Sequence, residues 1–240
     1  MQKLFIDYIP EDEIILDGEQ ARHVSKSLRM KTGDMLTVTD GEGCDYGCII
    51  DGVSRDTVKL KICYRQASES EPTCVVTIYQ GVPKGTKLEE IIQKCTELGA
   101  VRIVPVMTAR SISRPDEKSA KKKNERYKKI ALEAAQQSGR GIVPEVSPML
   151  SLKEAAAQDE SGLKIVFYEG GGEPVSALVN ADEKSVSVYI GPEGGFEEDE
   201  VKLLTEKGAV KATLGKRILR TQTAPVAALT AIMLLTGNLE

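Results

Sequence analysis

A chain of 240 residues has room for one large domain or two small ones. Its 41% apolar and 28% charged residues are ordinary for a globular protein, and a net charge of -4 excludes an overall basic nucleic-acid binder, so any basic footprint has to be local. No apolar run approaches the about 20 residues needed to cross a bilayer, and Asp7 follows Met1-Gln2-Lys3 too closely for a secretory leader. Five cysteines without framework spacing fit reduced thiols in a cytoplasmic protein. Cys44 and Cys48 have no second ligand pair, so no metal is expected.

Residues 3 to about 70 read as short strands at Leu4–Ile6, Glu13–Leu16, Met35–Thr39, Tyr46–Asp51 and Thr57–Tyr64. Gly-containing turns separate them, and the spacing suggests a small barrel. One helix, from about Gly18 to Met30, carries Arg22, His23, Lys26 and Arg29. By themselves these cations read as a solvated face. The polar stretch 66–73, ending near Pro72, has the composition of a linker and marks a boundary between residues 1–70 and 74–240.

From Cys74 the texture becomes strand–helix alternation, the pattern of a largely parallel α/β sheet. A strand at Cys74–Gln80 leads to a turn with Lys84. Thr86-Lys87-Leu88-Glu89 has the form of a capping box opening a helix that Gly99 stops. After a strand at Val101–Met107 comes a basic stretch holding Arg110, Arg114, Lys118, Lys121, Lys122, Lys123, Arg126, Lys128 and Lys129. Against an acidic total this is the local footprint that a phosphate backbone needs, although such blocks also serve as plain solvated faces. Its helix, from about Ser119 to Ser138, ends at Gly139-Arg140-Gly141. A short edge strand follows at Ile142–Val146, a helix opens at Ser151, and Leu163–Tyr168 is a strand running into Glu169-Gly170-Gly171-Gly172.

The most informative stretch begins with the strand Ser185–Ile190. It passes through Gly191-Pro192-Glu193-Gly194-Gly195-Phe196 into the acids Glu197-Glu198-Asp199-Glu200, which suit a helix first turn. Those acids, with no Lys or Ser/Thr after the glycines, argue against a phosphate in this turn. A second Gly turn, Leu214-Gly215-Lys216-Arg217-Ile218-Leu219-Arg220-Thr221-Gln222-Thr223-Ala224, opens an apolar helix to Leu235 whose all-round hydrophobicity predicts burial in a core or a subunit interface. Ligands in α/β sheets collect at the C-terminal ends of strands, so the turns near 169, 191 and 215 are expected to converge on one pocket.

The pair Ile-Gly-Pro-Glu-Gly-Gly-Phe (190–196) and Leu-Gly-Lys-Arg-Ile-Leu-Arg-Thr-Gln-Thr-Ala (214–224) resembles the RsmE-type ribosomal RNA methyltransferases of the SPOUT superfamily. The stretches 23–34, 94–99 and 131–140 resemble other segments of that family. Gln222 departs from the pattern, standing where the family has Glu.

The resemblance implies an N-terminal PUA-like β-barrel, a C-terminal SPOUT α/β domain with a trefoil knot near 190–224, and a homodimer. It implies S-adenosyl-L-methionine as cofactor and N3 of a uridine in 16S rRNA of the small ribosomal subunit as acceptor. Carried onto this sequence, the cofactor residues are Glu169, Gly170, Ile190, Gly191, Glu193, Gly194, Leu214, Gly215, Ile218, Leu219 and Thr223. Arg220 and Arg140 are the candidates for stabilising charge on the uracil oxygens. Of Arg217 and Arg220 only one is expected to face the pocket, and Arg220 is favoured. Arg22, Lys26, Arg29, Lys84, Lys121, Lys122 and Lys123 are the expected RNA contacts. No general base is assigned. The rival readings are a non-catalytic RNA-binding or ribosome-assembly factor on the same scaffold, and a SPOUT methyltransferase of another RNA.

Overall fold

The structure, a computed structural model, describes residues 3–112 and 116–239. Arg114 of the basic stretch lies outside the described residues. The chain divides into two compact units, one made of residues 1–71 with 135–143 and the other of residues 72–134 with 144–240.

In the first unit, β1 (Leu4–Phe5), β2 (Glu13–Asp17), β3 (Met35–Thr39), β4 (Cys44–Val53) and β5 (Thr57–Ala67) form one sheet in the order β1-β3-β4-β5-β2. Pairing is antiparallel except between β1 and β3. In β2 strict alternation buries Ile14 and Leu16 and exposes Glu13, Ile15 and Asp17. These residues join Val38, Tyr46, Ile50, Val58 and Leu60 in a single apolar core. β4 and β5 slip register at Gly47/Cys48, and a Cβ at Gly47 would fall 2.1 Å from the Tyr64 ring, so glycine lets that ring cross the strand. The helix expected over 18–30 is shorter and irregular. It runs as α1 (Gly18–Arg22) and widens into a π-helical turn at His23–Ser27. Arg29 then takes φ 55, which non-glycine residues rarely adopt.

Residues 135–143 join this unit through a clamp that local sequence does not announce. The buried Arg140 guanidinium donates to Glu71 at 2.6 Å, and Glu71 also accepts from the Gly141 and Ile142 amides at 2.7 and 3.2 Å. Burial pushes the Glu71 carboxyl up, but Arg140 and the two amides outweigh it and hold it below the ordinary range.

The second unit is built on a parallel sheet of β6 (Val75–Gly81), β7 (Arg102–Met107), β8 (Glu145–Val146), β9 (Leu150–Ser151), β10 (Leu163–Phe167), β11 (Glu173–Pro174), β12 (Ser185–Ile190) and β13 (Val210–Thr213). The order is β11-β13-β10-β12-β6-β7-β8, with β9 also on β7, and every pairing is parallel. Its central strands β6 and β12 are nearly continuously buried, as a sheet covered on both faces requires. Helices α2 (Lys87–Glu97), α3 (Glu117–Ser138), α4 (Leu152–Gln158), α5 (Val175–Leu178), α6 (Glu198–Glu206) and α7 (Ala224–Leu235) connect and flank it.

The capping box expected at Thr86 does not form, because Thr86 lies at ψ 5 and its side chain caps nothing. The one at Ser151 does: Ser151 accepts from the Glu154 amide at 3.2 Å and Glu154 accepts from the Ser151 amide at 2.9 Å. In α6 the first-turn acids are put to use, Glu200 accepting from the Glu197 amide at 2.9 Å and from the Ala109 amide at 2.8 Å. α7 buries Pro225, Ala228, Leu229, Ile232 and Met233, while Leu234 remains 54% exposed.

At mid-sheet the Tyr79 and Tyr189 rings stack with centroids 4.5 Å apart and planes 6° from parallel. The Tyr189 hydroxyl donates to Asp159 at 2.8 Å, and Ser187 donates to the same carboxylate oxygen at 2.5 Å. No helix among the described residues is long and apolar enough to cross a membrane.

Candidate functional site

Parallel register brings three loops to one edge of the sheet. Phe167 at the end of β10 pairs with Ile190 at the end of β12 and with Ala212 in β13. The chain leaving these strands encloses a cavity of about 470 Å³, lined by residues 167–169, 190–193, 195, 196 and 212–221 with Ala224. That volume is in the range of small-ligand sites. The turns near 169, 191 and 215 thus meet, as the strand-end argument expects.

The 191–196 turn is closed against itself. A Cβ at Gly191 would lie 2.9 Å from the Gly195 carbonyl carbon and 3.1 Å from the Phe196 nitrogen, so the two backbone segments touch. Gly195, at φ 68, donates to the Pro192 carbonyl at 2.9 Å. Buried Ile190, Phe196 and Ala212 give the cavity apolar walls.

The facing segment is held by a side-chain relay. Gln80, at the end of β6, donates to Thr221 at 3.1 Å, and Thr221 donates to the Gly191 carbonyl at 2.9 Å. Between this anchor and β13 the chain makes few bonds of its own. The backbone N–H groups of residues 216–222 donate no hydrogen bond within the described residues. Free amides along a cavity wall have to be satisfied by water or a ligand, and a heterocycle's ring nitrogens are suitable acceptors.

Charge around the cavity is mixed. Glu169 lines it with a carboxylate that has no hydrogen-bond partner among the described residues. Glu193 is committed instead to the neighbouring turn, accepting from the Lys84 amide at 3.1 Å and from the Lys87 ammonium at 2.6 Å. Burial raises its pKa, but the bonds from Lys87 and the backbone win and leave it lowered. Lys216, Arg217 and Arg220 form a basic rim with no ion pair among the described residues. The expectation that only one of Arg217 and Arg220 faces the pocket is not met, since both line it.

Of the residues named from sequence, Glu169, Ile190, Gly191, Glu193, Leu214, Gly215, Ile218, Leu219 and Arg220 are brought together on this cavity. Gly170, Gly194 and Thr223 are not among its lining residues. Gly170 lies under the Tyr168 ring, and the Gly194 carbonyl accepts from the Arg110 guanidinium. Thr223 precedes α7 and donates its amide to the Arg220 carbonyl at 2.8 Å. Arg140 does not line the cavity, its guanidinium being held by Glu71 in the first unit. Gln222 also lies off the lining, with its side-chain oxygen buried and unpartnered.

Arg22, Lys26 and Arg29 are exposed in the first unit, and Lys84, Lys121 and Lys122 are exposed in the second, with Lys123 half-buried. Within the basic stretch Arg126 pairs with Glu89 at 2.7 Å, whereas Lys121, Lys122 and Lys123 make no ion pair among the described residues. Sequence reasoning missed Gln80, Thr221 and Arg110. Thr221 lies inside a motif that the sequence displays, but Gln80 and Arg110 act across 141 and 84 residues and leave no local signal. Among the described residues no cluster of three His, Cys, Asp or Glu side chains could hold a metal ion.

Comparison with known proteins agrees with this geometry. The family described as RNA methyltransferase domain matches residues 69–233, and the RNA methyltransferase PUA domain matches residues 16–63. The chain is 40% identical to ribosomal RNA small subunit methyltransferase E of Bacillus subtilis over 97% of its own length and 96% of the relative's. It is 32% identical to the protein of that name from Synechocystis, over 94% and 74% of the two lengths. Among solved structures, ribosomal RNA small subunit methyltransferase E of Neisseria gonorrhoeae bound to S-adenosyl methionine superposes with a TM-score of 0.88 at 28% identity, covering 98% of each chain. With a sheet, a strand-end cavity and near full-length relatives all in agreement, this chain belongs to the ribosomal RNA small subunit methyltransferase E family of RNA methyltransferases.

Proposed function

We propose that this protein transfers a methyl group from S-adenosyl-L-methionine to N3 of a uridine in 16S rRNA of the small ribosomal subunit, in the cytoplasm. The observation that carries the reading is the cavity where the 169, 191 and 215 turns meet, bounded by the unbonded amides of residues 216–221. The residues fit the cofactor. The free amides and the walls of Ile190, Leu214, Ile218 and Leu219 suit an adenine, and the unpartnered Glu169 carboxylate suits ribose hydroxyls. When bound, the cofactor supplies an electrophilic methyl group.

The chain's own work is positioning and charge stabilisation. Loss of the uracil N3 proton to water leaves negative charge on the ring oxygens, and the unpaired Arg220 guanidinium at the rim is placed to meet it. Arg217 and Lys216 add positive potential that draws an RNA phosphate toward the opening. Arg140, fixed by Glu71, serves as a structural pin of the first unit. That unit acts as an RNA-binding PUA-like module presenting Arg22, Lys26 and Arg29, and the second presents Lys84 and Lys121–Lys123 to the same RNA. Residues 190–224 form the trefoil knot of the superfamily. Supporting this, β13 lies beyond β10 from β12, yet the chain after it returns to bond Gly191 and Gln80. The half-exposed face of α7 forms a homodimer contact.

Mass analysis of 16S rRNA nucleosides from cells with and without the gene tests the reading. N3-methyluridine should vanish in the deletion and return on complementation. Its persistence in the deletion strain would reject the proposed substrate.

A further inference from the structure

A second concavity, of about 380 Å³, adjoins the first and is lined by Tyr168, Glu198, Val201, Lys202, Thr205 and Lys211. Tyr168 lines both. Successive residues of β13 face opposite sides of the sheet, so Ala212 contributes to the first cavity while Lys211 contributes to the second. Lys211 lies in register with Val166, whose side chain packs in the core that also holds Val201 and Leu204 of α6. Neither Lys202 nor Lys211 forms an ion pair among the described residues, although Glu198 stands one helical turn before Lys202 at a spacing that favours pairing. The Tyr168 ring lies over Gly170, where a Cβ would come within 2.3 Å of it, so glycine is what allows the ring this position between the two cavities.

We propose that this groove is a subsite for the nucleotide flanking the methylated uridine. The proposal rests on the methyltransferase reading of the adjoining cavity. Lys202 and Lys211 take the phosphate, the Tyr168 ring offers a stacking surface to a base, and Glu198 accepts from a ribose 2′-hydroxyl. The mixture of groups selects this ligand class. A bare inorganic anion would be repelled by Glu198, and an uncharged metabolite would leave two ammonium groups unused. RNA supplies all three complements within one nucleotide, and its 2′-hydroxyl gives the carboxylate a purpose that DNA would not. Because Tyr168 lines both, a strand whose uridine lies at the rim of the first cavity carries its neighbouring nucleotide to the second.

The test compares the full-length protein with its Lys202→Gln/Lys211→Gln double variant, using unmodified 16S rRNA and small subunits from a strain lacking the gene. Calorimetry with S-adenosyl-L-methionine and thermal melting serve as controls. The variant should bind cofactor within twofold of wild type and melt normally. Its KM for RNA should rise about tenfold with kcat little changed, and its salt slope should fall by about 0.7 for each phosphate no longer neutralised. With 4-thiouridine incorporated in the RNA, ultraviolet crosslinks should map to the Tyr168 peptide. An RNA KM and salt slope equal to wild type, with cofactor binding intact, would overturn the subsite while leaving the methyltransferase reading standing. A wild-type protein that binds neither cofactor nor RNA would overturn both.

Discussion

The side-chain amide of Gln80 lies 3.1 Å from the hydroxyl of Thr221, joining two residues 141 positions apart beneath the cavity. Because the Thr221 hydroxyl in turn donates a hydrogen bond to the Gly191 carbonyl, the relay fixes the spacing between the 191 turn and the rim that carries Arg220. Thr221→Val keeps the shape of the side chain and removes both bonds. It should lower stability by about 1–3 kcal/mol, the usual result of stranding buried partners, and weaken cofactor affinity. Denaturant unfolding and calorimetry measure the two effects, and unchanged values in both would show the relay to be dispensable.

Gly191 has no room for a methyl group, since the atoms it would strike are backbone atoms of Gly195 and Phe196. Gly191→Ala should therefore open the turn at a cost of about 1–3 kcal/mol and reduce cofactor binding at least tenfold. Titration with S-adenosyl-L-methionine decides this, and near-wild-type affinity would mean that the turn relaxes without consequence.

Arg220→Ala removes the guanidinium proposed to face the uracil oxygens but touches no structural bond of that side chain among the described residues. Single-turnover methylation should slow by about 10²–10³-fold, with melting temperature and cofactor affinity retained. An undiminished rate would take Arg220 out of the chemistry.

Charge removal at Lys121, Lys122 and Lys123 should leave folding intact, because none of the three makes an ion pair among the described residues. Affinity for 16S rRNA should fall and its salt dependence flatten. A salt slope identical to wild type would return this helix face to simple solvation.

The Glu71–Arg140 clamp predicts an acid sensitivity. The folded-state pKa of Glu71 lies below its ordinary value of 4.5, so its contribution to stability is complete above that value. As pH drops through the lowered value, the carboxylate is protonated in the folded protein too and the contribution disappears. Glu71→Gln should cost about 3–5 kcal/mol at neutral pH by breaking this buried ion pair. It should also lessen the dependence of stability on pH below 4.5, which urea titrations across that range would reveal.

Much of this architecture is legible in the sequence because its signals are local. Alternation in Glu13–Asp17 marks a strand, the buried run Ser185–Ile190 marks a central one, and glycines at 191, 194 and 195 mark the turn between strand and helix. What escapes reading depends on partners distant in the chain. Arg140 looks available for catalysis in the sequence because nothing near it there shows that Glu71 claims it. The Thr86 box has the right residues, yet its backbone takes a conformation that points the hydroxyl elsewhere. β11 and α5, of 2 and 4 residues, are too short to impose a period.

The stacked tyrosines at mid-sheet also give the protein an optical signature. The chain contains no tryptophan, so its near-ultraviolet absorption comes chiefly from seven tyrosines. Two of these, Tyr79 and Tyr189, are stacked almost parallel at 4.5 Å, close enough for their transitions to couple as an exciton pair. Each immediately precedes a residue of the cavity or its anchor, Gln80 and Ile190. Circular dichroism in that band therefore reports strand alignment beneath the cavity, without any introduced label.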